Sequence, residues 1–108
     1  MRTRVKTTGF ELSESLTVLV DEKIVAVVEK LLGWLDDRED IVLDVELAKT
    51  TRHHQEGKIW KCEANLVVPH VKNVIRAEEF SESMEGAVDG AKDKLEREIK
   101  KYKEKLAG

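Results

Sequence analysis

The sequence predicts an α+β fold whose elements run strand, helix, three strands, helix. Two observations lead to this order. Alternating apolar and polar residues mark extended segments near the N-terminus and between residues 41 and 79, and apolar residues spaced three and four apart mark two helices. With 108 residues, 41% of them hydrophobic and 38% charged, the chain has apolar material for one modest core, which we expect to form a single domain over residues 1–108.

The first half of the chain supplies a strand, a helix and a second strand. The segment RTRVKTT, residues 2–8, alternates weakly and is followed by Gly9, which predicts a short strand. Ser13 is a suitable N-cap for the helix that follows. The apolar face of this helix is predicted to consist of Leu16, Val20, Ile24, Val27, Leu31 and Leu35. The segment IVLDVELA, residues 41–48, alternates cleanly and predicts a half-buried strand.

The second half supplies the partner strand of a hairpin, a fourth strand and a long helix. The segment KIWKCEANLVV, residues 58–68, predicts a strand with Trp60 on the core side, and NVIRAEE, residues 73–79, predicts the fourth strand. Ser81 is expected to cap the last helix. The apolar stripe of that helix is predicted to consist of Met84, Val88, Ala91, Leu95, Ile99, Tyr102 and Leu106.

Charge is unevenly distributed along the chain, which has a formal net charge of −3. Residues 1–90 carry −6, whereas residues 91–108 carry +3. A second stripe of the last helix, roughly 115° from the apolar one, is formed by Lys94, Arg97, Lys101 and Lys105. Cations near a helix C-terminus also have a purely structural interpretation, because they interact favourably with the helix dipole and with Glu residues one turn away.

The first helix adds an argument for a binding surface. Lys23 and Lys30, seven residues apart, share one flank of that helix. If both helices lie on the same side of the sheet, two Lys-bearing flanks border the groove between them. Cations held on rigid elements at fixed spacing are what phosphate binding requires.

Other polar residues favour structural interpretations. His53 and His54 are adjacent and point to opposite sides of any regular strand, so with the distant Cys62 they do not make a zinc set, and we expect a solvated loop. Cys62 lies on the apolar face of its strand and is expected to be an inert buried thiol. Arg2, Arg4 and Lys6 are expected to pair with Asp44 or Glu46 of the neighbouring strand.

The sequence lacks the features of an enzyme, a secreted protein or a membrane protein. It contains no nucleophile with a base, no metal-binding cluster and no Gly-rich phosphate loop, so we expect no catalysis, metal, cofactor or small-molecule substrate. A single cysteine, no apolar run of about 18 residues and no signal-peptide core predict a cytoplasmic protein without a membrane partner.

The C-terminal third contains sequence motifs that resemble those of a known family. VIRAEE followed by SMEGAVDGAKDKLEREIKKYKEKL strongly resembles the ribosome hibernation-promoting factors, also called ribosome-associated inhibitors or sigma-factor modulation proteins. Members carry a pattern close to V-L-R-A-E-E, a Met opening the last helix, A-[IV]-D, and then D-K-L-E-R-Q-[LI]-x-K-Y-K. The resemblance covers essentially the whole chain, and residues 74–106 are its specific part. Because the sequence stops after the last helix, it resembles a short form.

The resemblance implies a fold, a partner and a set of contact residues. The fold is two parallel-running helices packed on one face of a four-stranded mixed sheet, similar to double-stranded RNA-binding domains. The partner is the small ribosomal subunit, whose ribosomal RNA is bound in the channel for mRNA and tRNA, so that idle ribosomes are silenced under stress. Lys94, Arg97 and Lys101 match the family's K-L-E-R and K-Y-K positions, and Lys23 matches a basic position of the first helix. Periodicity adds Lys30 and Lys105.

Departures from the family pattern leave a second hypothesis open. The first helix reads KIVAVVEKLL and is poorer in Lys than is usual in the family, which predicts weaker binding on that side. The alternative is a protein-interaction or regulatory domain of the same fold with weak or lost RNA binding. Its partner would be recruited by an acidic sheet face formed by Asp44, Glu46, Glu63 and Glu78. Pairing of ribosomes and silencing of single ribosomes are both compatible with the sequence, as is more than one oligomeric state.

Overall fold

The structure is a computed structural model that describes residues 1–50 and 57–107, with side chains described as far as residue 105. The predicted α+β order is confirmed. The helices and strands in chain order are β1 (Arg2–Thr8), α1 (Glu14–Val20), α2 (Ala26–Leu32), β2 (Val42–Lys49), β3 (Trp60–Val67), β4 (Ile75–Ser81) and α3 (Met84–Ala107). A π-helical turn, Asp21–Val25, joins α1 to α2, and a short 3-10 turn, Arg38–Asp40, precedes β2.

The four strands form one mixed sheet in the order β1-β2-β3-β4. β1 runs parallel to β2, while β2 with β3 and β3 with β4 are antiparallel. Val45 at the centre lies opposite Val5 on one side and Ala64 on the other. Parallel neighbours need a crossover connection, and the helix formed by α1, the π turn and α2 provides it. β1 and β4 are the two edges of the sheet.

One face of the sheet and the helices enclose the core. The fully buried large side chains are Val20, Ile24, Val28, Leu32, Ile41, Leu43, Val45, Leu47, Leu66, Val68, Leu95 and Ile99. Trp60 is half-buried at the rim of this core, where its ring meets Phe10 edge-on with 5.5 Å between centroids. A slip of one residue in β3 would have moved Trp60 to the opposite face. The predicted register of the hairpin is therefore confirmed.

The first helix begins as predicted but changes its winding midway. The Leu16 backbone N–H donates to Ser13 Oγ at 3.2 Å, which confirms Ser13 as the N-cap. Further along, the Ala26 N–H donates to the Asp21 carbonyl, five residues back. The extra residue in this π turn rotates the rest of the helix, so Val28 is 1% exposed whereas Val27 lies at the rim. Val27 still packs against the core, as predicted, but the fully buried position belongs to Val28. The regular 3.6-residue period used for the prediction does not include the extra residue of a π turn.

The start of α3 also differs from its prediction. The Gly86 N–H donates to Ser83 Oγ at 3.0 Å, so Ser83 caps this helix. Ser81, the predicted cap, is the last residue of β4 and pairs with Trp60. The strand runs two residues further than the alternating pattern indicated, and the helix therefore starts later.

Small residues bring α3 close to β4. A Cβ atom at Gly90 would clash with Glu79 Cγ, and Ala87 and Ala91 beside it are fully buried. One and two turns further along, Leu95 and Ile99 are also fully buried. The helix is therefore seated over β3 and β4 by the predicted apolar stripe.

We expect Leu95→Ala to lower the free energy of unfolding by about 2–5 kcal/mol, because it leaves a cavity under a fully buried side chain. Urea unfolding followed by circular dichroism measures the change. Leu12→Ala, at a position where the side chain is 40% exposed, is the matched control and should change stability by about 0.5 kcal/mol or less. Equal losses in the two variants would contradict the assigned core.

We also expect Cys62 to be unreactive in the folded protein. Burial raises the pKa of its thiol to about 12 from an ordinary value of 9.0. At pH 8 the reactive thiolate is then scarcer by on the order of 1,000-fold than in the unfolded chain. A disulfide reagent such as DTNB should label Cys62 promptly in concentrated urea and only through rare unfolding in its absence. Fast stoichiometric labelling of the native protein would show that the thiol is accessible.

Candidate nucleic-acid interface

The basic stripe of α3 lies on the flank of that helix that faces β4. Together with the edge of β4 and the turn before it, the stripe borders a shallow depression that we call the β4–α3 groove. The cations that line it are Lys72, Arg76, Lys94, Arg97, Lys101 and Lys105. Four of these were predicted from helical periodicity, and the structure brings them together with two more from the preceding segment.

Lys94 is the most strongly engaged member of the stripe. Its ammonium donates to the backbone carbonyl of Glu78 at 2.9 Å and to Glu79 Oε1 at 3.2 Å. Glu98 is the acidic residue of α3 that lines the groove, and it pairs with Lys101. Among the described side chains, no carboxylate of α3 lies within 4.0 Å of Lys94 Nζ. The partner comes from β4, fifteen residues earlier, through the close approach at Gly90. Part of the hydrogen-bonding capacity of Lys94 is therefore used to hold α3 against β4.

The remaining stripe residues are more available to a ligand. Lys101 Nζ lies 3.3 Å from Glu98 Oε1 one turn earlier, and both side chains are exposed, so the pair is worth less than about 1 kcal/mol. Among the described side chains, Arg97 and Lys105 have no carboxylate within 4.0 Å. Exchanging one weak pair for phosphate contacts costs little, and three cations one turn apart face the same groove.

Arg76 and Lys72 are groove residues that sequence reasoning missed. Arg76 Nε donates to Asn65 Oδ1 at 2.8 Å across the β3–β4 ladder, which fixes the guanidinium at the sheet edge. Lys72 lies in the exposed turn before β4. The alternating pattern of VIRAEE places Arg76 outward, and the short β4–α3 connection makes strand and helix neighbours. Those two signals together could have identified Arg76.

Lys23 and Lys30 lie on the other side of α3. Lys23 Nζ is 3.4 Å from Asp89 Oδ1, and Lys30 lies near Glu96. The pKa of Glu96 is lowered mainly by a hydrogen bond from Lys100 and by its charge, and to a smaller extent by Lys30. The expectation that two Lys-bearing flanks border one groove is therefore wrong. The first helix faces the acidic flank of α3, and the basic stripe points away from it.

The contacts between the helices show how the helices run. From Lys23 with Asp89 to Lys30 near Glu96, both partners advance by seven residues in the same direction. The first helix and α3 are therefore parallel, as the resemblance implied.

The open face of the sheet carries the predicted cross-strand ion pairs. Arg4 binds both carboxylate oxygens of Asp44, at 2.6 and 3.0 Å. Lys6 Nζ lies 3.8 Å from Glu46, which also receives a 2.9 Å hydrogen bond from Thr8 Oγ1. These contacts confirm the expected pairing for Arg4 and Lys6. Among the described side chains Arg2 has no carboxylate within 4.0 Å, so the expectation is wrong for that residue.

Cations also reach the acidic residues from β3. Lys61 Nζ lies 3.4 Å from Glu46 and 3.9 Å from Glu78. The pKa of Glu46 is lowered first by the hydrogen bond from Thr8 and then by Lys61 and Lys6, against the opposing effect of burial. Three of the four acidic residues of the alternative hypothesis, Asp44, Glu46 and Glu78, are thus paired with cations of the same face. Glu63 lies between Glu46 and Glu78 in the sheet and, among the described side chains, has no cation within 4.0 Å.

Metal sites and membrane-spanning helices are two other features that could indicate a function. Within residues 1–50 and 57–107, no three His, Cys, Asp or Glu side chains are grouped so that they could hold a metal ion. None of the helices in those ranges combines the length and apolar character needed to cross a membrane. His53 and His54, expected in a solvated loop, lie outside the described residues.

Comparison with solved structures agrees with this architecture. The N-terminal domain of Protein Y from Thermus thermophilus is similar with a TM-score of 0.69 and 19% identity, over 94% of this chain and 99% of that one. A ribosomal subunit interface protein from Coxiella burnetii is similar with a TM-score of 0.68 and 24% identity, over 95% and 98% of the two chains. At these identities the likeness establishes the fold.

Sequence comparison establishes the family. The chain is 36% identical over 87 residues to the ribosome hibernation promotion factor of Deinococcus radiodurans, which covers 80% of this chain and 44% of that protein. The chain thus matches less than half the length of this relative. The family profile described as sigma 54 modulation protein / S30EA ribosomal protein matches residues 3–107. With nearly every residue inside that match, the chain belongs to the sigma 54 modulation protein / S30EA ribosomal protein family.

Proposed function

We propose that this protein is a cytoplasmic, ribosome-associated inhibitor of translation. It binds the small ribosomal subunit through ribosomal RNA in the channel for mRNA and tRNA, and thereby silences idle ribosomes under stress. Family membership supports this proposal, as does the name of the Deinococcus radiodurans relative, ribosome hibernation promotion factor. The Coxiella burnetii protein of the same fold is described as a ribosomal subunit interface protein.

The observation that carries the proposal is the β4–α3 groove. Arg97, Lys101 and Lys105 follow one another at one-turn spacing, about 6 Å apart along the helix axis. The helix that bears them is fixed to the sheet by fully buried side chains, so the cations are held in place before RNA arrives. Arg76 and Lys72 add positive charge on the opposite wall. Such an array suits successive phosphates of one RNA strand.

The other predicted contact residues have smaller roles in this proposal. Lys94 contributes positive charge to the groove but must share its ammonium with Glu78 and Glu79. Lys23 and Lys30 lie beyond α3 and can reach only a separate segment of the RNA. Their neighbours Asp89 and Glu96 offset their charge, which agrees with the weaker binding expected for the first helix.

The alternative of a protein-interaction domain has less support. It depends on acidic residues of the open sheet face attracting a basic partner. Asp44, Glu46 and Glu78 each lie within 4.0 Å of a cation of the same face, so a partner would have to displace those cations. An enzyme has no support, because family membership and the geometry of the groove both point to binding.

Neutralising the groove should strongly weaken ribosome binding. We expect the triple variant Arg97→Gln, Lys101→Gln, Lys105→Gln to bind isolated small subunits on the order of 100-fold more weakly near physiological salt, because three phosphate contacts are lost. Sedimentation with small subunits through a sucrose gradient measures the loss. The matched control Arg2→Gln, Lys6→Gln, Lys58→Gln removes the same charge away from the groove and should bind nearly as the wild type does. Equal binding of all three proteins would refute the groove as the RNA site.

Salt dependence gives a second prediction. If about four to six phosphates are contacted, a plot of the logarithm of the binding constant against that of salt concentration should have a slope of about −3 to −5. The groove variant should reduce the magnitude of this slope by about 2 to 3, since each lost contact removes about 0.7–0.9. Asp44→Ala should leave the slope unchanged. A groove variant with the wild-type slope would mean that its cations do not touch phosphate.

A further inference from the structure

Trp34 is the most exposed large apolar side chain among the described residues, with 57% of its surface accessible. It lies two residues beyond the end of α2, after Gly33. Its indole N–H donates to the Leu31 carbonyl at 2.8 Å, which satisfies the only polar group of the ring and fixes the ring at the helix end. This hydrogen bond does not remove the ring from solvent. The chain thus presents a held, solvent-facing aromatic surface that its own core does not use.

The position of Trp34 continues the line of contacts between the first helix and α3. On α3 these contacts occur every seven residues, at Asp89, Glu96 and Lys103. The first two positions are acidic and face Lys23 and Lys30. At the third position the cation lies on α3 instead of on the first helix, and its partner is the Trp34 ring. Lys103 Nζ lies over this ring, 5.9 Å from its centroid.

The ammonium of Lys103 remains available to an anionic ligand. In the described part of the chain, no carboxylate lies within 4.0 Å of Lys103 Nζ. A cation–π contact leaves the ammonium most of its hydration and its capacity to meet an anion. The two helices therefore end in a pair that combines an exposed ring with a cation beside it.

We infer that Trp34 and Lys103 form a nucleotide-binding platform, in which an unpaired base of RNA stacks on the Trp34 ring and its phosphate meets Lys103. The inference rests on the proposed function and extends it to a second contact point, separated from the β4–α3 groove by the width of α3. Every base has a π face, so such stacking tolerates sequence variation. RNA fits better than an apolar protein surface, because a protein would have to strip water from Lys103 whereas a nucleotide pairs with it.

The acidic turn that follows Trp34 affects how binding at this contact depends on salt. Asp36 and Asp37 lie two and three residues beyond the ring, and the Asp37 carboxylate is 3.2 Å from His70 Nε2. Local negative charge offsets part of the attraction that Lys103 exerts on phosphate. The affinity gained at this platform must therefore come mainly from stacking, which does not depend on salt. The β4–α3 groove, by contrast, acts through counterion release.

The experiment uses the two tryptophans of the chain. In a Trp60→Phe background Trp34 is the only tryptophan, so its fluorescence reports on the ring alone. Titration with a single-stranded RNA octamer of adenosine should quench this fluorescence. Trp34→Leu, which keeps an apolar side chain without a π face, should weaken binding of the octamer and of small subunits by about 5- to 150-fold. Trp34→Phe should retain most of the affinity.

The salt slope separates this inference from the proposed function. Trp34→Leu should lower affinity with an unchanged slope, whereas the groove variant changes the slope. Absence of quenching together with unchanged affinity of Trp34→Leu would overturn the platform while the groove remains supported. Loss of subunit binding without loss of octamer binding would assign Trp34 to a ribosomal protein instead, and a changed slope would assign it to electrostatics. A wild-type protein that binds neither RNA nor subunits would overturn both proposals.

Discussion

The seating of α3 on β3 and β4 is the constraint on which the remaining surface depends. Gly90 and the adjacent alanines let the helix backbone approach β4, and Leu95 and Ile99 bury completely beneath it. Each residue advances about 100° around a helix axis, so burying these side chains fixes the direction of all the others. Arg97 and Lys101 must then face the β4 flank, and Asp89 and Glu96 must face the first helix. The core thus determines where each sign of charge is presented.

This division of α3 explains how a chain of net charge −3 can present a basic surface. The acidic flank of the helix faces Lys23 and Lys30 of the first helix. On the sheet, Asp44, Glu46 and Glu78 are paired with Arg4, Lys6 and Lys61. The negative charge nearest the core elements is therefore offset at short range. Interactions between exposed charges fade beyond about 8 Å at physiological ionic strength, so an approaching polyanion responds to the groove rather than to the total.

Local patterns in the sequence predicted most of this arrangement. Alternation located all four strands and placed Trp60 and Ala64 on the core side, and the three-and-four spacing located the apolar stripe of α3 and hence its basic stripe. The features that were not predicted depend on the extra residue in the π turn or on contacts between residues far apart in the sequence. The π turn moves Val28 into the core, although no residue type in the sequence marks such a turn. The ion pair of Lys94 depends on Glu79 of β4, which lies fifteen residues earlier in the chain. The relative placement of the two Lys-bearing flanks required the packing of one helix against the other.

The bond from Lys94 to the Glu78 carbonyl has a consequence for how copies of this protein behave together. β4 ends the sheet, and an unpaired strand edge is a template on which another chain can add a strand. The Lys94 ammonium occupies one backbone acceptor of this edge and places a charge where an incoming strand would have to lie. A side chain drawn across the edge in this way discourages polymerisation while leaving the neighbouring cations free. The same residue that borders the binding groove therefore also blocks part of the β4 edge against strand addition.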